Sequence, residues 1–164
     1  MNKVHEQSNR PVDWVEKLVK QHTGRLYRVA LTMLGRPADA EDIVQDVFCK
    51  LYEKQPQFET AEHETAWLIR VAVNLCKDRL RSHWWKTTVP LLDTYPAETD
   101  EQQHVMETVL KLPPKYRIAI HLFYYEGYET KEIARLTNQT EAAVRQQLTR
   151  ARRMLRDFLK GECI

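Results

Sequence analysis

The stretch TKEIARLTNQTEAAVRQQLTRARRMLRDFLK, Thr130 to Lys160, decides the fold. Ile133, Ala134 and Leu136 give a short first helix a side to bury. Then comes TNQT, where Asn138 takes a left-handed backbone more cheaply than most residues and Thr140 can cap the next helix. This spacing predicts a helix-turn-helix, whose second helix typically enters the major groove of a duplex. In that second helix Val144, Leu148, Ala151, Leu155 and Leu159 form an apolar stripe, with Arg145, Thr149, Arg152, Arg153 and Arg156 towards the other side. A merely solvated helix would match its arginines with acids, yet Asp157 is the only acid between Ala142 and Lys160. Arginine forks suit phosphates and guanine edges, and Gln146 and Gln147 can pair with adenine. Each good base contact is worth about 1–3 kcal/mol of discrimination.

Upstream of this segment the patterning is also helical. Val12, Val15, Leu18, Val19, Leu26, Val29, Ala30 and Met33 recur at helical spacing until Gly35 and Pro37, which predicts one long helix over 12–34. A second helix comes next, with Asp39 as its expected cap and Ile43, Val47, Phe48 and Leu51 on its buried side, fading near Pro56. A third is expected from Glu64 to Trp85, and three helices of this length suffice for a small bundle. The text TTVPLLDTYPAETDEQ, with two prolines and no sustained period, reads as a linker. Helical patterns return in HVMETVLKL and KYRIAIHLFYYE, broken by Pro113, Pro114 and Gly127. The expected class is all-α: two small helical domains joined by a flexible linker, at 1–87, 88–102 and 103–164.

Charge is distributed unevenly along this layout. The 164 residues carry a net charge of only +2. Residues 67–86 nevertheless hold five basic groups against one acid, 87–110 hold none against five, and 111–164 hold eleven against six. Two basic blocks flank an acidic one, which suggests two phosphate contacts spaced by a segment that avoids the duplex. Cys49, Cys76 and Cys163 are too few and too far apart for a disulfide framework or a zinc site. No apolar run of membrane-spanning length and no signal-peptide core stands out, so a soluble, cytoplasmic and unprocessed chain is expected. No cofactor and no catalytic residue is expected.

Two further segments carry chemistry. In the third helix Leu68, Val71, Ala72 and Leu75 point one way, while Arg70, Asn74, Lys77, Asp78 and Arg81 form a mainly basic second face. Phe58, Trp67, Trp84 and Trp85 lie at its ends. A positive groove with aromatic platforms suits single-stranded bases, although Trp67 and Trp84 would equally serve as packing residues. In AEDIVQDVF, Ala40 to Phe48, carboxylates crowd a helix of a chain that otherwise looks built for DNA. A helix N-terminus favours Asp39 to Asp42 but does not account for Asp46.

Taken in order, ADAEDIVQDVFCKLYE, TAWLIRVAVNLCKDRLR and LKLPPKYRIAIHLFYYEGYETKEIARLTNQTEAAVRQQLTRARRMLR resemble the successive segments of extracytoplasmic-function sigma factors of bacterial RNA polymerase, over residues 12 to 160. The resemblance implies a promoter-recognition subunit that is not itself an enzyme. It implies that Asp42, Gln45 and Asp46 face the clamp helices of the core polymerase's largest subunit, where complementary charge would speed and orient docking. It implies that Phe58, Ile69, Arg70 and Asn74 surround a base flipped from the minus-ten element, with Lys77 and Arg81 near its backbone. Arg145, Gln146, Gln147, Thr149 and Arg150 match the minus-thirty-five readers, and the paired glutamines depart from the usual serine, lysine or arginine. An unusual promoter sequence or more shape readout is expected. Core polymerase, promoter DNA and an anti-sigma factor are the implied partners. Three other readings compete: a stand-alone helix-turn-helix regulator using the last 35 residues, a nuclease using Asp42, Asp46 and His63, and a helical scaffold without DNA contact.

Overall fold

The computed structural model describes residues 3–82 and 99–162, with side chains from residue 12 onward except at 102 and 162. Seven helices appear in these residues: α1 (Lys3–Leu34), α2 (Pro37–Lys54), α3 (Ala61–Arg81), α4 (Asp100–Leu110), α5 (Pro114–Ile120), α6 (Thr130–Thr137) and α7 (Glu141–Glu162). The all-α expectation holds. Most of the expected linker, together with Trp84 and Trp85, lies outside the described residues. Its last three positions, 100–102, already belong to α4.

Helix ends follow local chemistry. The first helix stops where Gly35 takes a φ of 72° and its N–H donates to the Leu31 carbonyl. Pro37 then opens α2 at a position that needs no N–H donor. Asp39, expected from the sequence to cap this helix, does not; the N-cap is Arg36, and Asp39 turns to Arg79 at 3.2 Å. Thr60 caps α3 by accepting from His63 N–H, which places its start three residues earlier than the sequence pattern suggests. Asn138 adopts the left-handed conformation (φ 53°, ψ 52°) and Thr140 Oγ1 accepts from Ala143 N–H, so the turn forms as its residues predict. A capping box, Glu129 with Glu132, starts α6.

Helices α1, α2 and α3 pack around Leu18, Leu26, Val29, Ile43, Val47, Leu51, Leu68 and Ala72, all essentially inaccessible. Val12, expected on this side, is 61% exposed. Helices α5, α6 and α7 bury Ile118, Leu122, Ile133, Val144, Leu148 and Ala151. Leu159 departs from the expected stripe and is exposed, while its neighbour Phe158 packs against the core. The two units are not merely tethered. One apolar cluster runs through both, with α5 against α1 and α6 against α3. Consequently residues 29 to 34 of α1 are buried without a break, which an amphipathic surface helix would not allow. The C-terminal end of α1 is enclosed by both units.

The chain of α5 continues through a π turn, His121–Tyr125, before Gly127 breaks it at a φ of 76°. This wider turn stacks the rings of His121 and Tyr125 with centroids 4.9 Å apart.

Candidate nucleic-acid interface

On α7 the expected readers sort by depth. Arg145, Gln146, Thr149 and Arg150 are exposed on the side opposite buried Val144, Leu148 and Ala151. Gln147 is half-buried and donates through Nε2 to Gln139 Oε1 at 2.6 Å, which ties it to the turn. Arg145 reaches Glu141 at 2.7 Å, an exposed i, i+4 pair worth a few tenths of a kcal/mol and easily traded for a phosphate. Thr130 Oγ1 donates to the same carboxylate, fixing the start of α6 against the start of α7. Arg152 donates through Nε to Tyr124 Oη at 2.7 Å, and its guanidinium stands 5.5 Å from the centroids of both Phe123 and Tyr124. That anchor joins residues 28 positions apart and had no signal in the helical period.

On α3 the pattern is rotated from the expected one. Leu68, Ile69, Ala72, Val73 and Cys76 are buried, Val71 and Leu75 only partly so. Ile69 must be corrected: expected beside a flipped base, it is 0% exposed and belongs to the apolar core. Arg70, Asn74 and Arg81 are exposed, the last paired with Asp78 at 3.3 Å. Phe58 sits half-buried in an aromatic group, with ring centroids 6.1 Å from Trp14, 5.8 Å from Trp67 and 5.4 Å from His63. Lys77 is half-buried, and its ammonium donates to the Thr137 carbonyl at the end of α6. Burial, and then the charge of Arg81, lower its pKa.

On α2, Glu41, Asp42, Gln45 and Asp46 are exposed while Ile43, Val44 and Val47 are buried. Asp42 lies 3.4 Å from Arg79, which also holds Asp39, so part of this acidic face is oriented by α3. Beside it an open groove of about 780 Å³ runs between α1 and α2, lined by Val15, Val19, Tyr27, Val44, Phe48 and Tyr52. Cys49 is exposed at the rim of this groove. Cys76 is buried, and desolvation drives its thiol pKa far up, which keeps it an inert packing group. Among the described residues no three His, Cys, Asp or Glu side chains converge as metal ligands, and no helix is long and apolar enough to cross a membrane.

The seam between the two units carries charges that sequence reasoning missed. Arg117, only 6% exposed, donates through Nη1 to the Leu110 carbonyl at 3.1 Å and through Nη2 to the Met33 carbonyl. Burial lowers its pKa to about 10. The Glu126 side chain is 6% exposed, 3.1 Å from Arg25 Nε and 3.6 Å from His121 Nε2. Desolvation alone would raise the Glu126 pKa. The neighbouring His121, with Arg25 and Arg28, outweighs it and holds the carboxyl below its ordinary value.

Comparison with known proteins accounts for the two charged faces on one chain. Residues 18–86 match the family model described as Sigma-70 region 2, and residues 102–155 match Sigma-70, region 4. The ECF RNA polymerase sigma factor SigM of Mycobacterium tuberculosis is 30% identical over 149 residues, covering 88% of this chain and 76% of that protein. SigW of Bacillus subtilis, likewise named an ECF RNA polymerase sigma factor, is 28% identical over 166 residues, covering 87% of each. Among solved structures, the sigma factor RpoE in complex with the anti-sigma factor NepR from Bartonella quintana shares the fold. Its TM-score is 0.74 at 24% identity, over 90% of this chain and 97% of that one. CnrH in complex with the cytosolic domain of CnrY gives a TM-score of 0.63 at 25% identity, over 90% and 88%. A helix-turn-helix in the second region and an acidic helix in the first are therefore parts of one transcription-initiation subunit: the chain belongs to the ECF family of RNA polymerase sigma factors.

Proposed function

We infer that the three faces divide the work of initiation among them. The α2 face, Asp42, Gln45 and Asp46, docks the clamp helices of the largest polymerase subunit. The α3 face, Arg70, Asn74, Lys77 and Arg81 with Phe58 nearby, receives the minus-ten strand. Arg145, Gln146, Gln147, Thr149 and Arg150 on α7 read the minus-thirty-five element, with Gln147 held back by Gln139. On this reading residues 1–87 and 103–164 are the two recognition domains and 88–102 joins them. The chain works in the cytoplasm, where polymerase and promoters are, and an anti-sigma factor is its controller; the two solved neighbours are bound to partners of that kind or to a cytosolic domain.

The observation that carries the reading is the sorting of charge by helix. Exposed carboxylates gather on α2 above buried Ile43 and Val47, while exposed cations gather on α7, and Arg70 and Arg81 stand exposed on α3. Phosphate repels the first surface and attracts the other two. The test is binding to bacterial core RNA polymerase without DNA, followed by fluorescence anisotropy. The double variant Asp42→Lys, Asp46→Lys faces like charge with like charge, which costs several kcal/mol and weakens binding about a hundredfold or more. Its circular dichroism stays that of the parent, because both residues are exposed. Retained core binding refutes the docking role.

A further inference from the structure

We propose that the seam between the two units is a reciprocal clamp that withholds Lys77 from the minus-ten strand while leaving the recognition helix open. Each unit sends one cation into the carboxyl end of a helix of the other. Arg117 of α5 reaches the Met33 carbonyl at the end of α1, and Lys77 of α3 reaches the Thr137 carbonyl at the end of α6. The last carbonyls of a helix have no partner within it and carry the negative end of its dipole, so both cations meet what they need. Arg25 of α1 and Glu126, just past the π turn, add a third bond across the same seam.

The Lys77 ammonium, half-buried and donating to the Thr137 carbonyl, is held at the seam instead of on the open α3 face. Closure therefore removes one cation from the α3 face, although Arg70, Asn74 and Arg81 stay exposed. On α7 Arg145, Gln146, Thr149 and Arg150 are all exposed in the closed arrangement, and Gln147 is held by Gln139 of its own unit. The two promoter elements thus become available in order: the minus-thirty-five face is ready in the closed chain, and the minus-ten face is complete only after the seam parts. This consequence rests on the assignment of Lys77 to the minus-ten strand, whereas the clamp itself does not.

Small-angle scattering and DNA binding on the full chain test the two parts separately. The variant Glu126→Gln loses the carboxylate that faces Arg25, Arg28 and His121; Arg25→Gln removes the same bond from the more exposed side and serves if the first variant misfolds. The clamp predicts a compact parent and a larger radius of gyration for the variant with helical content unchanged. Equal radii in folded parent and folded variants overturn it. Binding is then measured to a short mixed-sequence single strand at several salt concentrations. One additional cation on the strand steepens the log–log salt slope by about 0.7 for the opened variant. Adding Lys77→Met should cancel that increment, while binding to a mixed-sequence duplex is the same for parent and opened variant. An opened chain whose slope does not change, or changes regardless of Lys77, leaves the clamp standing and overturns the withholding of Lys77.

Discussion

The interior of the α1–α3 unit and the seam that joins it to α4–α7 are both sealed from water, yet they are built from different chemistry. Leu18, Leu26, Val29, Ile43, Leu51 and Leu68 fill the first, where attraction is non-directional and depends on area and fit. Arg117, His121 and Glu126 are buried at the second beside apolar neighbours. Charges taken from water recover their solvation only when every partner is in place. An apolar interior thus holds the helices together over a range of small adjustments. A charged seam favours one docking geometry and gains little from near misses, so it is where the arrangement can change while the helices persist.

The contrast predicts effects of different size. The largest belongs to the interior. Leu26→Ala leaves a cavity in a fully buried site and should cost about 2–5 kcal/mol in urea unfolding. A loss below about 1 kcal/mol would mean that α1 is not held by its interior face. A smaller effect is expected at the seam. Glu126→Ala should cost about 1–3 kcal/mol, less than a fully buried pair, because Arg25 is 38% exposed and partly screened. Its pH dependence gives the sign. The folded-state pKa of Glu126 lies below its ordinary 4.5, so its contribution is present above that value and disappears as pH falls through the depressed one. The stability difference between parent and Glu126→Gln should accordingly shrink as pH falls below 4.5. A difference that does not shrink in acid would contradict the ion pair. The smallest effect lies outside both regions. Asn138→Ala, at a φ of 53° in the turn, should cost about 1 kcal/mol through the left-handed backbone, read by thermal unfolding. Asn138→Gly should not.

Much of this molecule could be read from its residues alone, and the pattern of misses follows the same contrast. Local signals sufficed where bonds are local: Asn138 and Thr140 built the turn, Gly35 ended α1, and the apolar period of α7 placed Val144, Leu148 and Ala151 inside. The acidic run on α2 and the cationic side of α7 were likewise legible, since exposed charge keeps helical phase. Ile69 was misplaced because α3 buries a wider arc than one stripe, with α6 lying against it. Arg117, Glu126 and the anchor of Arg152 on Tyr124 were missed altogether. Their partners lie 84, 101 and 28 residues away for Met33, Arg25 and Tyr124, and no period records them. The capping role given to Asp39 failed for a related reason: Arg79, 40 residues on, competes for its carboxylate.

The π turn at His121–Tyr125 works as a frame shift written into the backbone. A π turn holds one residue more than an α turn, and an α-helix advances about 100° per residue. Everything after it is therefore out of phase with the apolar face of α5 by roughly that angle. Removing Phe123 or Tyr124 would restore the ordinary frame and swing Glu126 away from Arg25 without altering one seam side chain. In a lineage of such chains, one codon lost or gained here would reset how the two halves meet, a change in wiring made by length alone.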